Sequence, residues 1–397
     1  MAETEDMAPV NVARQRQANS GGFHFETRSS SAGAIRIHKA ETLKSLPSAD
    51  NLGFGKYFSD HLFSARYARS KGWHDLQVAP YQSLALDPAA SVLHYGQALF
   101  EGLKAFRQPD GSVALFRPDY NWARMVSGAE RLCMVAPTRE VFFSGLQALL
   151  EVDTRWVPHD PSGSLYIRPT LIGTEGFLGV RPAEELLFYI LLSPVGSYYG
   201  GDVAKPVRIW VETEAVRAVP GGLGSTKAGA NYAASLQSAL RAKQRGYDQV
   251  LWLDAEQEGI EEVGTMNVFF VFKNEIVTPA LNGSLLAGCV RDSVLRWLRD
   301  QGRPVSERRI TLDEVIKRHA QNELLEAFGT GTAAVVTPIG EFGYRDQTLH
   351  LDANSGGQLS RELLTEISGL QRGLRPDPYG WRVPLRELSR AGQSRSV

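Results

Sequence analysis

A single lysine stands in the run Gly221-Gly222-Leu223-Gly224-Ser225-Thr226-Lys227-Ala228-Gly229-Ala230-Asn231-Tyr232, with a tyrosine five positions on at the head of an apolar-periodic helix. Small neighbours leave room for a planar molecule against the backbone. A lysine withdrawn from bulk water can shed its proton and attack an aldehyde, so Lys227 is the candidate nucleophile for Schiff-base chemistry. A solvated loop lysine is the plainer alternative, and a nucleotide-triphosphate loop is a rival of another class. That rival fails on spacing: it needs glycine directly before the lysine and Ser or Thr directly after, whereas here Thr226 precedes and Ala228 follows.

The segments downstream supply the rest of such a site. A helix over Ala233 to Arg245 stops at Gly246 and leads into a buried strand, Gln249 to Asp254; a turn at Glu256 to Gly259 and a second strand, Val268 to Phe272, bracket Glu261-Glu262. A carboxylate between buried strands needs a partner, and a protonated pyridine nitrogen is one, which makes Glu262 the candidate; a solvated acid beside Glu261 is the alternative. Gly283-Ser284-Leu285-Leu286-Ala287-Gly288-Cys289-Val290 is a small-residue turn entering a helix, where free N–H groups and the helix dipole favour an anion. Leu286 offers an apolar face to a ring.

Taken in order, Gly-x-x-Lys-x-Gly-x-Asn-Tyr, then Glu262-Val263-Gly264-Thr265-Met266-Asn267, then Phe328-Gly329-Thr330-Gly331-Thr332-Ala333 resemble the branched-chain-amino-acid aminotransferases, fold-type IV enzymes that use pyridoxal 5'-phosphate. The resemblance runs from about Asn51 through His94-Tyr95-Gly96-Gln97-Ala98-Leu99-Phe100-Glu101-Gly102 and Leu165-Tyr166-Ile167-Arg168-Pro169 to about Gly340. It implies an α/β (α+β type) two-domain fold, with the active site between the domains and near the interface of a homodimer. It further implies Lys227 as the Schiff-base residue and proton carrier, Glu262 on the ring nitrogen and Tyr232 on the phenolic oxygen. Arg124, Arg217, Thr265, Leu286, Gly288, Cys289, Val290 and Thr332 complete the implied cofactor set. The family commonly has threonine where this chain has Val290.

The same resemblance implies a pocket with an aliphatic wall for leucine, isoleucine or valine and a cation for the distal carboxylate of glutamate, the partner of 2-oxoglutarate. Phe54, Phe100, Tyr166, Tyr198 and Val180 are the wall residues, Val180 reaching in from a second subunit. Arg168 pairs with the distal carboxylate through its fork geometry. Tyr95 and the backbone of Thr332-Ala333 hold the α-carboxylate. For each aromatic the plain reading is ordinary core, and for Arg168 an exposed strand face. Alternatives within the fold are a D-amino-acid aminotransferase and an aminodeoxychorismate lyase, and outside enzymes a pyridoxal-phosphate carrier or assembly partner.

Composition is consistent with this and closes other routes. At 397 residues the chain suits two domains, and 43 Lys+Arg against 44 Asp+Glu give no global charge that would draw nucleic acid or an anionic membrane. No apolar run approaches the roughly 20 residues of a membrane span, and an acidic start points to the cytoplasm. Two cysteines, Cys133 and Cys289, are too few for a disulfide framework or a zinc site. Mammalian relatives carry a Cys-x-x-Cys pair after the Gly-Thr-Ala turn; here the positions are Ala334 and Thr337. Cys289, at a helix start, is expected to have a lowered thiol pKa.

The expected organisation is an arm over 1–35, a smaller domain over 36–195, a linker over 196–212 and a larger cofactor-binding domain over 213–397. Asp110-Gly111 reads as the turn of a hairpin between Gly102–Phe106 and Ser112–Phe116. Helices are expected over Tyr120–Leu132, Thr138–Val152 and Val290–Gln301, with a capping box at Thr311 and Glu314. Leu165–Leu171 and Glu185–Ser193 read as buried strands.

Overall fold

Two mixed sheets organise the chain, and a computed structural model describes residues 34–196, 206–351 and 357–391. The first sheet takes β1 (Arg36–Ile37), β2 (His61–Ala68), β3 (Gly72–Pro80), β4 (Ala98–Phe100), β5 (Leu103–Arg107), β6 (Val113–Phe116), β7 (Ser164–Gly173) and β8 (Glu185–Val195). Its order is β1-β3-β2-β8-β7-β5-β6, with β4 beside β7. Between these strands lie α1 (Ser91–Tyr95), α2 (Pro118–Arg131) and α3 (Arg139–Val152).

The second sheet takes β9 (Val207–Val211), β10 (Gln249–Leu253), β11 (Ile260–Val263), β12 (Met266–Phe272), β13 (Ile276–Pro279), β14 (Val305–Arg308), β15 (Leu324–Gly331), β16 (Val335–Tyr344) and β17 (Gln347–His350). The order β11-β10-β9-β16-β15-β12 closes on itself, because β11 also pairs with β12. Around it pack α4 (Gly229–Gln244), α5 (Cys289–Asp300), α6 (Leu312–Ala320) and α7 (Gln358–Gln371). A last strand, β18 (Arg382–Pro384), returns to pair with β6, and a short α8 (Leu388–Ala391) follows.

Local chemistry accounts for the main boundaries. Pro118 opens α2 where its missing N–H costs nothing, and the Thr138 hydroxyl accepts the Val141 N–H at the head of α3. At α6 the Thr311 hydroxyl accepts the Glu314 N–H at 3.1 Å, but the reciprocal half of the expected box is diverted: the Glu314 carboxylate takes Arg308 instead. Val141, Phe142, Leu146, Leu149 and Leu150 of α3 are buried against the first sheet with Phe63 and Phe188. A further apolar cluster joins the sheets, setting Phe106 and Phe116 against Phe269, Val290, Val294, Phe328 and Val335. Burying large apolar side chains stabilises by about 1.5–3 kcal/mol each, so this cluster fixes the cleft beside it.

Two expectations change. Val207–Val211 inside the segment read as a linker is strand β9, hydrogen-bonded on both sides in the second sheet. Glu262, read as lying between two strands, is itself on a strand, β11; the expected turn stands at 255–257, and a further turn at Gly264-Thr265 leads into β12. Both segments are short: β9 takes its strand character from β10 and β16, distant in sequence, and β11 from the adjacent strands β10 and β12, with which it forms local hairpins. The arm over 1–35, up to residue 33, lies outside the described residues.

Candidate active site

The loop before α4 carries Lys227 into the cleft between the sheets. Asn231, on the first turn of α4, staples it by donating to the carbonyls of Leu223 and Thr226, both at 2.8 Å. A Cβ on Gly224 would lie 2.0 Å from the Ser284 carbonyl oxygen, so the close approach of this loop to the anion turn requires glycine. The Phe100 N–H donates to the Lys227 carbonyl at 3.2 Å, which joins the loop to the first sheet.

Lys227 Nζ donates to Tyr232 Oη at 2.8 Å and lies 4.9 Å from the Phe100 ring centroid. Burial, helped by the Arg124 charge and opposed by Glu101, brings its amine down to about 8. A fraction is therefore neutral and nucleophilic near neutral pH. The Tyr232 hydroxyl is pushed up to about 12 by burial and by the Glu262 charge.

Glu262 is 4 % exposed, and its Oε1 accepts the Leu286 N–H at 2.8 Å while Oε2 faces Arg217 Nε at 3.3 Å. Burial pushes its carboxyl up, with Arg217 opposing. Arg217 Nε is buried without a hydrogen-bond acceptor, and its Nη2 donates to the Ser284 carbonyl. Arg217, Tyr232, Glu262, Thr265 and Leu286 line one cavity.

Arg124, on α2, reaches across the cleft. It holds Glu101 through two bonds, Nε to Oε1 and Nη2 to Oε2, each 2.7 Å, and its Nη1 donates to the Ala287 carbonyl at 2.8 Å. Asn121 Nδ2 donates to the same carboxylate at 2.8 Å. Burial, which pushes the Glu101 carboxyl up, is outweighed by the Arg124 charge and these bonds, so the group is held below its ordinary value. Beside Arg124, the N–H groups of Cys289 and Val290 in the first turn of α5 have no partner within the helix.

The substrate candidates divide. Phe54, Phe100, Tyr166 and Arg168 come together: the Phe54 and Tyr166 rings are 4.9 Å apart, and Arg168 lies 4.4 Å over Phe100 and donates from Nη2 to Tyr166 Oη at 2.9 Å. A Cβ on Gly102 would fall on the Tyr166 hydroxyl, so glycine there makes room for the ring. The Thr332 hydroxyl donates to the Gly102 carbonyl at 3.2 Å, and no N–H of Thr332, Ala333 or Ala334 donates to another group among the described residues. Three free N–H groups in one turn form a concavity suited to a carboxylate.

Tyr95 is not in this pocket. It is 43 % exposed on α1, and its hydroxyl donates to the Leu178 carbonyl, near Val180, which is 85 % exposed. Tyr198 lies outside the described residues.

One reading at α5 is overturned, and the place of Val290 is defined. Cys289 is buried, and burial pushes its thiol up to about 12 against the pull of Arg117 and Arg124. Desolvation outweighs the helix dipole that favours the thiolate. Val290 is 4 % exposed in the intersheet cluster, so its side chain is a core contact and only its N–H is offered to an anion.

Sequence reasoning passed over Glu101, Lys104 and Asn267. The first two were legible as charged residues embedded in the apolar run Leu99 to Phe106. Asn267 donates to the Leu286 carbonyl at 2.9 Å and shapes the anion turn, a contact that no sequence signal announces.

The described residues fit pyridoxal phosphate: a buried amine near 8, a buried acid pushed upward, a guanidinium short of an acceptor and free N–H groups beside Arg124 are the donors that this molecule needs. Residues 98–342 match the amino-transferase class IV family. The branched-chain-amino-acid transaminase 1 of Bacillus subtilis (strain 168) is 50% identical over 352 residues, 88% of this chain and 99% of that protein. The branched-chain-amino-acid aminotransferase of Mycolicibacterium smegmatis is 47% identical over 84% of this chain and 92% of its own length. Among solved structures, a branched-chain amino acid aminotransferase from T.th. with pyridoxamine 5'-phosphate superposes with TM-score 0.66 at 25% identity, covering 81% of this chain and 98% of that one. The Escherichia coli enzyme does so with TM-score 0.68 at 22% identity, covering 82% and 99%, a likeness of fold.

Proposed function

The chain belongs to the amino-transferase class IV family, and from that premise we propose that it is a branched-chain-amino-acid transaminase. It exchanges an amino group between leucine, isoleucine or valine and 2-oxoglutarate, giving branched 2-oxo acids and glutamate, with pyridoxal 5'-phosphate as cofactor. The observation that carries this reading is Arg168 inside a box of Phe54, Phe100 and Tyr166, with no acidic partner among the described residues. Apolar walls accept a branched side chain, and one fork-shaped cation accepts a second carboxylate.

The cofactor, when bound, supplies an aldehyde for the amine and an electron sink for the carbon that loses its proton. Lys227 would provide the amine that holds it and the base that moves the substrate's α-proton; an amine near 8 serves as donor and acceptor at neutral pH. Glu262 holds a proton on the ring nitrogen, and burial strengthens that pairing. Tyr232 Oη orients Lys227 and donates to the phenolic oxygen. Arg124 and the N–H groups of Cys289 and Val290 hold phosphate, with Thr332 close by. The N–H groups of the 332–334 turn receive the α-carboxylate, which fixes the α-hydrogen relative to Lys227.

A homodimer belongs to the same proposal. Tyr95, Leu178 and Val180 form an exposed patch on the first lobe, where a second copy would cover them and bring Val180 and Tyr95 to its own cleft. The cytoplasmic location is likewise proposed; among the described residues no helix is long and apolar enough to cross a membrane.

A steady-state panel of L- and D-amino acids with 2-oxoglutarate tests the activity. Borohydride reduction and peptide mapping should find the cofactor on Lys227, and Lys227→Ala should abolish transamination. Turnover confined to D-amino acids, or an adduct on another lysine, would overturn the assignment.

A further inference from the structure

One buried cation takes no part in the mechanism above. Lys104 on β5 is 7 % exposed, and its Nζ donates to the Ala333 carbonyl at 2.6 Å. Two residues earlier, the Gly102 carbonyl accepts the Thr332 hydroxyl. The start of β5 and the glycine just before it therefore hold the 332–334 turn at two points, one through a side chain and one through a backbone carbonyl. The turn itself is strained: Val335, which closes it, has φ 62°, a left-handed conformation that a β-branched residue rarely adopts. Strain of this kind persists only where surroundings hold it, and the ammonium on the preceding carbonyl is such a hold. Across the sheet, Lys104 is the register partner of Tyr166, a wall of the substrate pocket.

We propose that Lys104 is a positioning residue for the substrate α-carboxylate, its ammonium clamping the Ala333 carbonyl so that the free N–H groups of the 332–334 turn stay aimed into the cleft. This rests on the transaminase reading. The clamp polarises the Ala333–Ala334 peptide and so strengthens its N–H as a donor. It also titrates in the working range. Burial, with Arg372 beside it, brings the Lys104 amine down to about 7. The groups around it are Tyr166 on β7, Arg372 following α7, and a turn with no titratable side chain; Arg372 itself donates to the Gly163 and Ser162 carbonyls. As pH rises through 7 the charge-assisted bond becomes a neutral one and the grip weakens. A bound carboxylate favours the ammonium, so binding takes up protons above pH 7.

The test uses holoenzyme and 4-methylvaleric acid, a branched carboxylate with no amino group to react. Calorimetry from pH 6 to 8.5, in buffers of differing ionisation heat, should show affinity falling with pH and proton uptake on binding. Lys104→Met should bind the acid about tenfold more weakly at pH 6. Leucine and glutamate share the α-carboxylate, so their KM values should rise together while kcat changes less. Lys104→Arg keeps the charge and should match wild type at pH 6, with no fall at higher pH. Binding by Lys104→Met within twofold of wild type, or a wild-type pH profile in Lys104→Arg, would overturn the proposal. Should Lys104→Met fail to fold, the Lys104→Arg profile decides alone. Wild type inactive on leucine would instead end the transaminase reading, whereas active wild type with an unaltered Lys104→Met ends only the role of Lys104.

Discussion

Replacing Arg168 by glutamine should separate the two amino donors. Its guanidinium donates to Tyr166 Oη from Nε at 3.3 Å and Nη2 at 2.9 Å and lies 4.4 Å over Phe100. The Nη1 edge of the fork is left to a ligand. Glutamate loses a charge-assisted contact of about 1.5–3 kcal/mol, or roughly ten- to a hundredfold in kcat/KM. Leucine loses only the stacking of the pocket wall, about 0.5–1 kcal/mol, or roughly two- to fivefold. The preference for leucine over glutamate should therefore rise by about two- to fiftyfold. Each half-reaction is followed separately in single turnover by the cofactor absorbance, so that one substrate cannot mask the other. Arg168→Lys keeps the charge without the fork and should recover part of the glutamate loss. Arg168 also lowers the Lys227 amine, so its removal moves that amine upward. That change acts on both substrates alike and cannot imitate discrimination. Equal losses for glutamate and leucine would refute the placement of the distal carboxylate at Arg168.

Glu101→Gln leaves Arg124 buried without its charge partner, and urea unfolding of the apoprotein at pH 7 should show a loss of about 3–5 kcal/mol. The Glu101 carboxyl is held below its ordinary value in the fold, so its contribution is complete above about 4.5 and disappears as pH falls through the folded value; the variant and wild type should converge in acid. A gap that stays constant into acid would show that the loss is not electrostatic. Cys289 should resist alkylation and mild peroxide in the folded protein, its thiol being buried and pushed up to about 12, and rapid inactivation absent from Cys289→Ser would contradict this. Val290→Thr places a hydroxyl in the intersheet core, so apoenzyme titration with cofactor should show no gain in affinity; a tighter complex would mean that the side chain turns toward the phosphate.

The cofactor side of the site was legible because its chemistry is local. Lys227 and Tyr232 sit on one loop and the helix turn that follows it, and Glu262 and the anion turn lie within one run of chain, so local spacing nominates Lys227, Glu262 and the turn, and the family resemblance supplies the roles. The substrate side was legible only through the family resemblance. The Tyr95 hydroxyl is tied to the Leu178 carbonyl, far away in sequence, and no local pattern reports that its side chain faces away from the pocket of its own chain. Glu101 and Lys104 stand out in the sequence as charges within an apolar run, but their roles show only when the partners are seen, and both partners lie on other segments. The Cys289 reading failed on the balance of two real effects. The helix start favours the thiolate, but depth below the surface was not visible in the sequence, and depth prevails.

The return of β18 to β6 has a consequence for the order in which the protein can be finished. Arg382 pairs with Phe116 and Pro384 with Ala114, so a flank of the first sheet is supplied by residues made about 270 positions later. At about 5–20 residues per second, a ribosome takes roughly 13–54 s to make that stretch. Throughout that interval the apolar strand Val113-Ala114-Leu115-Phe116 presents unpaired backbone groups, the template on which nascent chains pair with one another. A message that stops before residue 382 would therefore yield not a smaller enzyme but a sticky one, and the last stretch of translation acts as the step that seals the first half of the molecule.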